Sequence, residues 1–414
     1  MLAVFKRARS DYPQQFWLVF WGMLISAVGG SMIWPFLMVY VSERLQLPMT
    51  ETAGLMTLSS VVGLVASFIA GPIVDRFGRK WIMVISLLLN ALGYILMSQA
   101  TTLPQFAILM AANGIVNPLY RIGLDSMIAD LIPHERRPDA YSLTRMANNI
   151  GVALGPAVGG FIASISYTIA FIIAAAGLVV FGILIGLFAA ETLPPRDKSS
   201  HLHHAERFGG YGSILRDRPF MGFVTSFTLV MVAASQVWVL LAVYTKLNFG
   251  IPESLYGFIP TTNALMVIFF QYAVTQVTKR YSPLAMVSLG AVFYAVATFG
   301  IALGQGFWAF WLCMVILTCG ELIIMPTSST YVANLAPADK RGRYMSLFGL
   351  TWNIGSGIGP VFGGVLNDNI GPQAIWFGGG AAGLLAMLGF IMMYRLYPNK
   401  VQPVVEIGAG PAAK

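Results

Sequence analysis

The sequence predicts an all-α membrane protein of twelve helical spans, arranged as two six-span pseudo-repeats. Three observations carry that prediction. Of 414 residues, 57% are hydrophobic and only 10% are charged, with a mean hydropathy of +0.72, whereas a soluble globular chain carries charge on about a quarter of its residues. The apolar residues fall in runs long enough to cross about 30 Å of hydrocarbon, which takes about 20 helical residues. The second half of the chain also repeats a pattern of the first at a fixed spacing.

Breaks at charged or Pro/Gly-rich stretches place the spans of the first half at 15–42, 51–74, 81–100, 105–132, 139–165 and 167–190. Those of the second half fall at 219–247, 254–279, 282–303, 307–336, 342–367 and 372–397. The first follows Lys6, Arg7 and Arg9; its apolar stretch over 16–41 is too long for a signal-peptide core and lacks a small-residue cleavage site, so it reads as a retained span. Residues 1–190 thus form one six-helix half and 219–397 the other. Between them, 191–218 reads as a linker with Pro194, Pro195, a polar run and Gly209/Gly210, and 398–414 as a tail.

Lys and Arg favour cytoplasmic loops. Here they gather at the N-terminus, at Arg76/Arg79/Lys80, Arg136/Arg137, 196–218, Lys279/Arg280, 340–343 and the C-terminus, which are alternate loops. Only Arg44 and Lys246 stand out on the other side. Both ends are therefore expected in the cytoplasm, with the chain integral to a bacterial inner membrane. The net charge of +8 reports this topology, and no nucleic-acid partner is expected.

Pro133, Arg137, Ser142, Asn149, Ile150, Gly151, Gly155, Pro156, Gly159 and Gly160 recur as Pro337, Arg341, Ser346, Asn353, Ile354, Gly355, Gly359, Pro360, Gly363 and Gly364, at a constant offset of 204 residues. Parallel repeats of this kind build proteins that rock around a midplane site. Cys313 and Cys319 lie on different faces of one helix, with no zinc spacing. His201, His203 and His204 read as a solvated loop cluster rather than a metal site. No metal or cofactor is expected.

After span 2 comes Gly71-Pro-Ile-Val-Asp75-Arg76-Phe-Gly78-Arg79-Lys80. The aspartate can pair with nearby cations or cap a neighbouring helix, Gly78 permits the turn, and the bases hold the cytoplasmic side. This resembles the signature loop of the major facilitator superfamily, matching every fixed position of G-x-x-x-D-[RK]-x-G-[RK]-[RK]. For Asp75, Arg76, Gly78, Arg79 and Lys80 the resemblance implies a latch that closes the cytoplasmic side, against the plainer reading of a topology anchor. Asp130 is expected to join it through Arg79 or Arg136. The matching loop of the second half keeps only Lys279 and Arg280, so any latch is asymmetric.

In span 5, Gly151, Gly155, Pro156, Gly159 and Gly160 form a bare stripe against which a helix packs closely. The stripe resembles the motif of the drug:proton antiporter branch, although Ser142 stands where the fuller pattern has a glycine. It recurs in span 11 as Gly355, Gly359, Pro360, Gly363 and Gly364, which leaves close packing between the halves as an equal alternative.

Buried ionisable residues are more informative, since a charge near the bilayer centre costs at least about 3 kcal/mol and usually marks a pathway or coupling site. Glu321 lies midway along span 10, in Gly320-Glu321-Leu-Ile-Ile-Met-Pro326, with no basic residue in its own span. It is the leading proton-coupling candidate, and the setting is similar to span 10 of some proton-driven multidrug exporters of the same superfamily. Span 4 bears Asn113, Asn117, Arg121 and Asp125 at intervals of four, read as one stripe facing a cavity. Arg121 is placed to bind a substrate anion or to neutralise Asp125, itself a second coupling candidate. The arginine often found earlier in span 4 of the family is replaced around Met110, Ala111 and Ala112. Trp34, Trp238 and Phe270 offer apolar contacts to a lipophilic or cationic ligand.

The expected function is proton-coupled export of amphipathic or lipophilic small molecules by alternating access. The alternative is a symporter or facilitator of a small organic anion, or a lipid or glycolipid translocator. The expected partners are a small-molecule substrate, protons and membrane lipid, with the chain acting as a monomer. No nucleophile-base-acid set, metal cluster or nucleotide loop points to an enzyme.

Overall fold

The computed structural model describes residues 12–133, 136–193, 211–337 and 340–397. The basic N-terminus, most of the linker with its three histidines, and the tail 398–414 lie outside the described residues. Among the described residues, twelve long helices form the body. In the first half α1 is Gln14–Leu45, α2 Met49–Phe77, α3 Arg79–Gln99, α4 Leu103–Leu131, α5 Arg137–Ile165 and α6 Tyr167–Phe188. In the second, α7 is Arg218–Phe249, α8 Glu253–Thr278, α9 Pro283–Leu303, α10 Gly306–Leu335, α11 Arg341–Asn369 and α12 Ala374–Leu396.

Ten of these are long and apolar enough to cross a membrane by themselves. The other two, α4 and α11, carry the polar residues: Asn113, Asn117, Arg121, Asp125 and Asp130 on α4, and Arg341, Arg343, Asn353, Asn367 and Asp368 on α11. Each is sheltered by its neighbours, α4 by α2 and α3, and α11 by α2, α7 and α12. α1 is interrupted by a 3-10 turn at Trp34–Phe36, where Pro35 withholds a backbone donor. α2 runs through Pro72 and ends at Phe77, so Asp75 lies in its last turn and Gly78 alone makes the corner.

The C-terminal ends of α2, α4 and α10 share one side, here called the basic face; the other side is the opposite face. The sequence repeat is also a structural one. Ser31 Oγ donates to the Gly151 carbonyl at 2.8 Å, and Ser235 Oγ donates to the Gly355 carbonyl at 2.8 Å, each pair being the other displaced by 204 residues.

Most of each glycine stripe packs within its own half, whereas the alternative weighed in the sequence had the stripes joining the halves. A Cβ on Gly155 would lie 2.8 Å from the Val28 carbonyl oxygen of α1, and one on Gly359 2.6 Å from the Val232 carbonyl oxygen of α7. Gly151 and Gly159 likewise face α1, while Gly355 and Gly363 face α7. Only the stripe's far end crosses over. Gly160 lies against the Glu253 backbone, the Pro156 carbonyl against Gly257, and Gly364 against Thr50 of α2. The reason is angular: Gly160 follows Gly159 by about 100° around the helix and so faces a different neighbour.

Candidate functional site

The two halves meet only toward the opposite face in the contacts among described residues. There Thr57 Oγ1 donates to the Gly357 carbonyl, Phe36 meets Tyr256 with ring centroids 5.9 Å apart, and Phe161 meets Phe258 at 6.2 Å. Toward the basic face the facing surfaces of α2 and α11 are bare: Val61, Val65, Phe68 and Ile69 on one, and Gly342, Ser346, Gly349 and Trp352 on the other, are exposed. Among the described residues, no side chain of the other half covers them.

Between the halves, Trp34 of α1 and Trp238 of α7 meet with ring centroids 6.4 Å apart. They too are related by the 204-residue offset, so this aromatic pair sits on the pseudo-twofold axis. Trp34 keeps 46% of its surface exposed. Phe270 of α8 is 52% exposed and is not brought to this pair.

Glu321 lies on a polar seam between α8 and α10. Asn263 donates through Nδ2 to Glu321 Oε2 at 2.7 Å and to Thr318 Oγ1 at 2.9 Å. The seam continues with Trp311 Nε1 donating to Thr262 Oγ1 at 2.9 Å and Gln271 Nε2 donating to the Leu322 carbonyl at 3.0 Å. Gly320 lets α10 approach α9 beside it, since a Cβ there would lie 2.8 Å from the Gly290 carbonyl oxygen. No ion pair of 4.0 Å or less reaches Glu321 among the described residues. Its partner is a neutral amide, which sequence reading missed because it lies on another helix within an otherwise apolar run.

The α4 residues do not form one stripe. Asn113 Nδ2 donates to Asn90 Oδ1 of α3 at 3.0 Å, which removes it from the cavity-facing set. Asn117, Arg121 and Asp125 are exposed. A four-residue step overshoots a helical turn by about 40°, so three steps rotate the row by about 120°. Arg121 is near enough for its charge to act on Asp125, but no ion pair of 4.0 Å or less joins them.

On the basic face Arg79 gathers the signature loop. Its Nε lies 3.0 Å from Asp130 Oδ2 and its Nη2 lies 3.4 Å from Asp75 Oδ1. The cap on the N-terminus of α3 comes from Glu191, at the end of α6: the backbone N–H groups of Arg79 and Lys80 donate to its carboxylate at 2.9 and 3.1 Å. Asp75 thus pairs rather than caps. Thr192 Oγ1 adds a bond of 3.0 Å to Asp130 Oδ2. Arg76 lies over the Phe77 ring at 5.4 Å and Lys80 over the Trp81 ring at 5.0 Å, outside this cluster. All these residues belong to the first half or to the start of the linker that follows it.

Gly78 adopts φ +96°, and a Cβ there would lie 2.9 Å from the Glu191 carboxyl carbon. Gly78→Ala is therefore expected to destabilise the loop by about 1–3 kcal/mol, the usual cost of a non-glycine residue in such a conformation. Thermal unfolding in detergent measures it, and an unchanged midpoint would count against the cap by Glu191.

A further cluster, which the sequence analysis did not single out, lies at the opposite face. Glu253 is 5% exposed; it accepts from Tyr167 Oη at 2.6 Å and from Lys246 Nζ at 3.1 Å. Lys246 also lies 3.9 Å from Glu43 Oε1. Nearby, Asp368 of α11 accepts from the Met49 and Thr50 backbone N–H groups at 3.1 and 2.8 Å and from Thr50 Oγ1 at 2.6 Å. Lys246 had the one available signal, a cation on the side otherwise poor in them.

The family model described as Major Facilitator Superfamily matches residues 19–247 and 229–412. The chain is 25% identical over 405 residues to a Na(+), Li(+), K(+)/H(+) antiporter of Planococcus maritimus, covering 89% of this chain and 93% of that protein. It is 25% identical over 358 residues to Multidrug resistance protein 1 of Bacillus subtilis (strain 168), covering 84% and 88%. Among solved structures, a POT family transporter in complex with 5-aminolevulinic acid aligns with a TM-score of 0.78 at 16% identity, over 94% of this chain and 97% of that one. At that identity the likeness speaks for the fold alone.

Proposed function

This chain belongs to the major facilitator superfamily, and on that premise we propose that it exports amphipathic or lipophilic small molecules in exchange for protons, by alternating access. It is an integral membrane transporter rather than an enzyme. In this reading the basic face is the cytoplasmic face of a bacterial inner membrane, the uncovered surfaces of α2 and α11 border a cleft open to it, which is the inward-open state, and Glu321 exchanges the proton.

The observation that carries the reading is the environment of Glu321. A carboxyl group partnered by an amide, with no fixed cation in contact, has nothing to hold it permanently ionised in a low-dielectric setting. The Trp34–Trp238 pair supports a flat, apolar or cationic substrate at the closed end of the cleft. Resemblance to a multidrug resistance protein agrees with a drug-like substrate, and resemblance to a Na(+), Li(+), K(+)/H(+) antiporter agrees with exchange for protons.

A second reading has one observation in its favour. Arg121 is exposed and makes no close pair with Asp125, which suits a small organic anion or a lipid headgroup.

A thermal-shift screen at an acidic and an alkaline pH separates the two, because a ligand that binds the native state raises its apparent stability. Amphipathic cations are expected to raise the unfolding midpoint, and more at the alkaline pH, since proton and substrate compete in an antiporter. Stabilisation by anions alone, lost in Arg121→Ala, would establish the second reading instead.

A further inference from the structure

Among the described residues, the signature cluster around Arg79 joins helices of the first half and the first linker residues, Glu191 and Thr192, and bonds no helix of the second half, so it does not hold the halves together in this state. What holds the halves together lies on the other side. Asp368, supplied by the second half, caps the N-terminus of α2 in the first half through three hydrogen bonds. Glu253, also of the second half, takes a 2.6 Å bond from Tyr167 of the first. The Lys246–Glu43 approach at 3.9 Å runs between halves as well.

We propose that Asp368 and Glu253 form the latch that keeps the opposite face shut and so set the balance between the two access states. The inference rests on the alternating-access reading above but not on Glu321.

Physical reasoning favours these two among the contacts of the seam. The glycine contacts there, Gly160 on Glu253, Gly257 on Pro156 and Gly364 on Thr50, supply shape and no directional bond. Asp368 makes its bonds to α2 only while the halves touch, and parting them leaves the first N–H groups of α2 without their cap. Glu253 keeps Lys246, its neighbour within the same half, in either state, but it loses Tyr167 on opening. The offset of 204 residues places Met49 where the second half has Glu253, and Ser164 where it has Asp368. Neither Glu253 nor Asp368 therefore has a carboxylate counterpart at the equivalent position of the first half. The charged and titratable groups acting on Glu253 are Glu43 of α1, Tyr167 of α6 and Lys246 of α7, while Gly160 of α5 lies against its backbone.

The test is a distance measurement across the opposite face. Spin labels at Thr101 and Gln305, exposed residues in equivalent loops of the two halves, are attached in a background with Cys313 and Cys319 replaced by serine. Wild type is expected to give mainly the short distance. Asp368→Ala should shift the ratio of closed to open roughly two- to thirty-fold toward open, the range set by loss of a helix cap. Asp368→Asn should shift it less, because the amide keeps one acceptor oxygen. Glu253→Gln and Tyr167→Phe should move it in the same direction.

Lowered thermal stability with an unchanged distance distribution in Asp368→Ala and Glu253→Gln would reduce both residues to structural roles and overturn the proposal. If Asp368→Ala does not fold, Thr50→Val and Tyr167→Phe carry the same test, since each removes one donor and leaves both carboxylates. The shift should persist in Glu321→Gln, so failure of the coupling assignment leaves this result standing. A distance that lengthens in no variant would overturn the latch, whereas alternating access stands or falls on whether the wild-type chain transports solute.

Discussion

Glu321→Gln is expected to abolish proton-driven efflux while leaving solute-for-solute exchange intact. Glutamine keeps the shape of the side chain and can still meet the Asn263 amide, which lies 2.7 Å from Glu321 Oε2. It cannot release a proton. Net export requires the coupling group to change protonation between the two access states, whereas exchange of labelled for unlabelled solute only requires the halves to rock. The expected loss is complete for gradient-driven transport in inverted vesicles, down to the level of vesicles without the protein. Asn263→Ala should give an intermediate result, because it removes the one described hydrogen-bond donor to that carboxyl and leaves the carboxyl in place. Equal loss of efflux and exchange in Glu321→Gln would instead mark the residue as part of the packing between α8 and α10.

Gly155→Val and Gly359→Val are the second pair of large effects. Each glycine lets a helix backbone approach another, so added methyl groups cannot be absorbed by turning a flexible side chain. A Cβ on Gly155 would already lie 2.8 Å from the Val28 carbonyl oxygen, and one on Gly359 2.6 Å from that of Val232. Overpacking usually costs about 1–3 kcal/mol, and contact with backbone puts these sites at the upper end. Both variants should unfold at clearly lower temperature, and by similar amounts, since the repeat makes the two sites equivalent. Gly93→Ala in α3 is the matched control. Nothing lies within 4 Å of a Cβ there, and alanine favours the helix. A similar drop in all three would show that the stripes have no special packing role.

The parts of this account that were legible in the sequence are those encoded within one helix or one turn. Apolar run length marked the spans, the 204-residue offset marked the two-half organisation, and the neighbours Asp75, Gly78 and Arg79 announced their corner. Extending the same offset would have found more, since it also relates Ser31 to Ser235 and Trp34 to Trp238.

Contacts between helices were not legible, because periodicity within a helix says nothing of its register against another. Asn263 beside Glu321, Tyr167 beside Glu253, and Asp368 on the N-terminus of α2 join residues 58, 86 and up to 319 positions apart. Asn113 shows the complementary error. A spacing of four looks like a stripe over one turn, but its drift of about 40° per step carries the end of the row to another face.

The central claim is that Glu321 carries the exchanged proton while the halves alternate around the cleft. Proteoliposomes loaded with a pH-sensitive dye and given an imposed proton gradient test it most directly. Addition of an amphipathic cation identified by the thermal-shift screen should dissipate the gradient with wild-type protein, and should not do so with Glu321→Gln, although that variant still performs exchange. Dissipation at the wild-type rate by Glu321→Gln would contradict the claim.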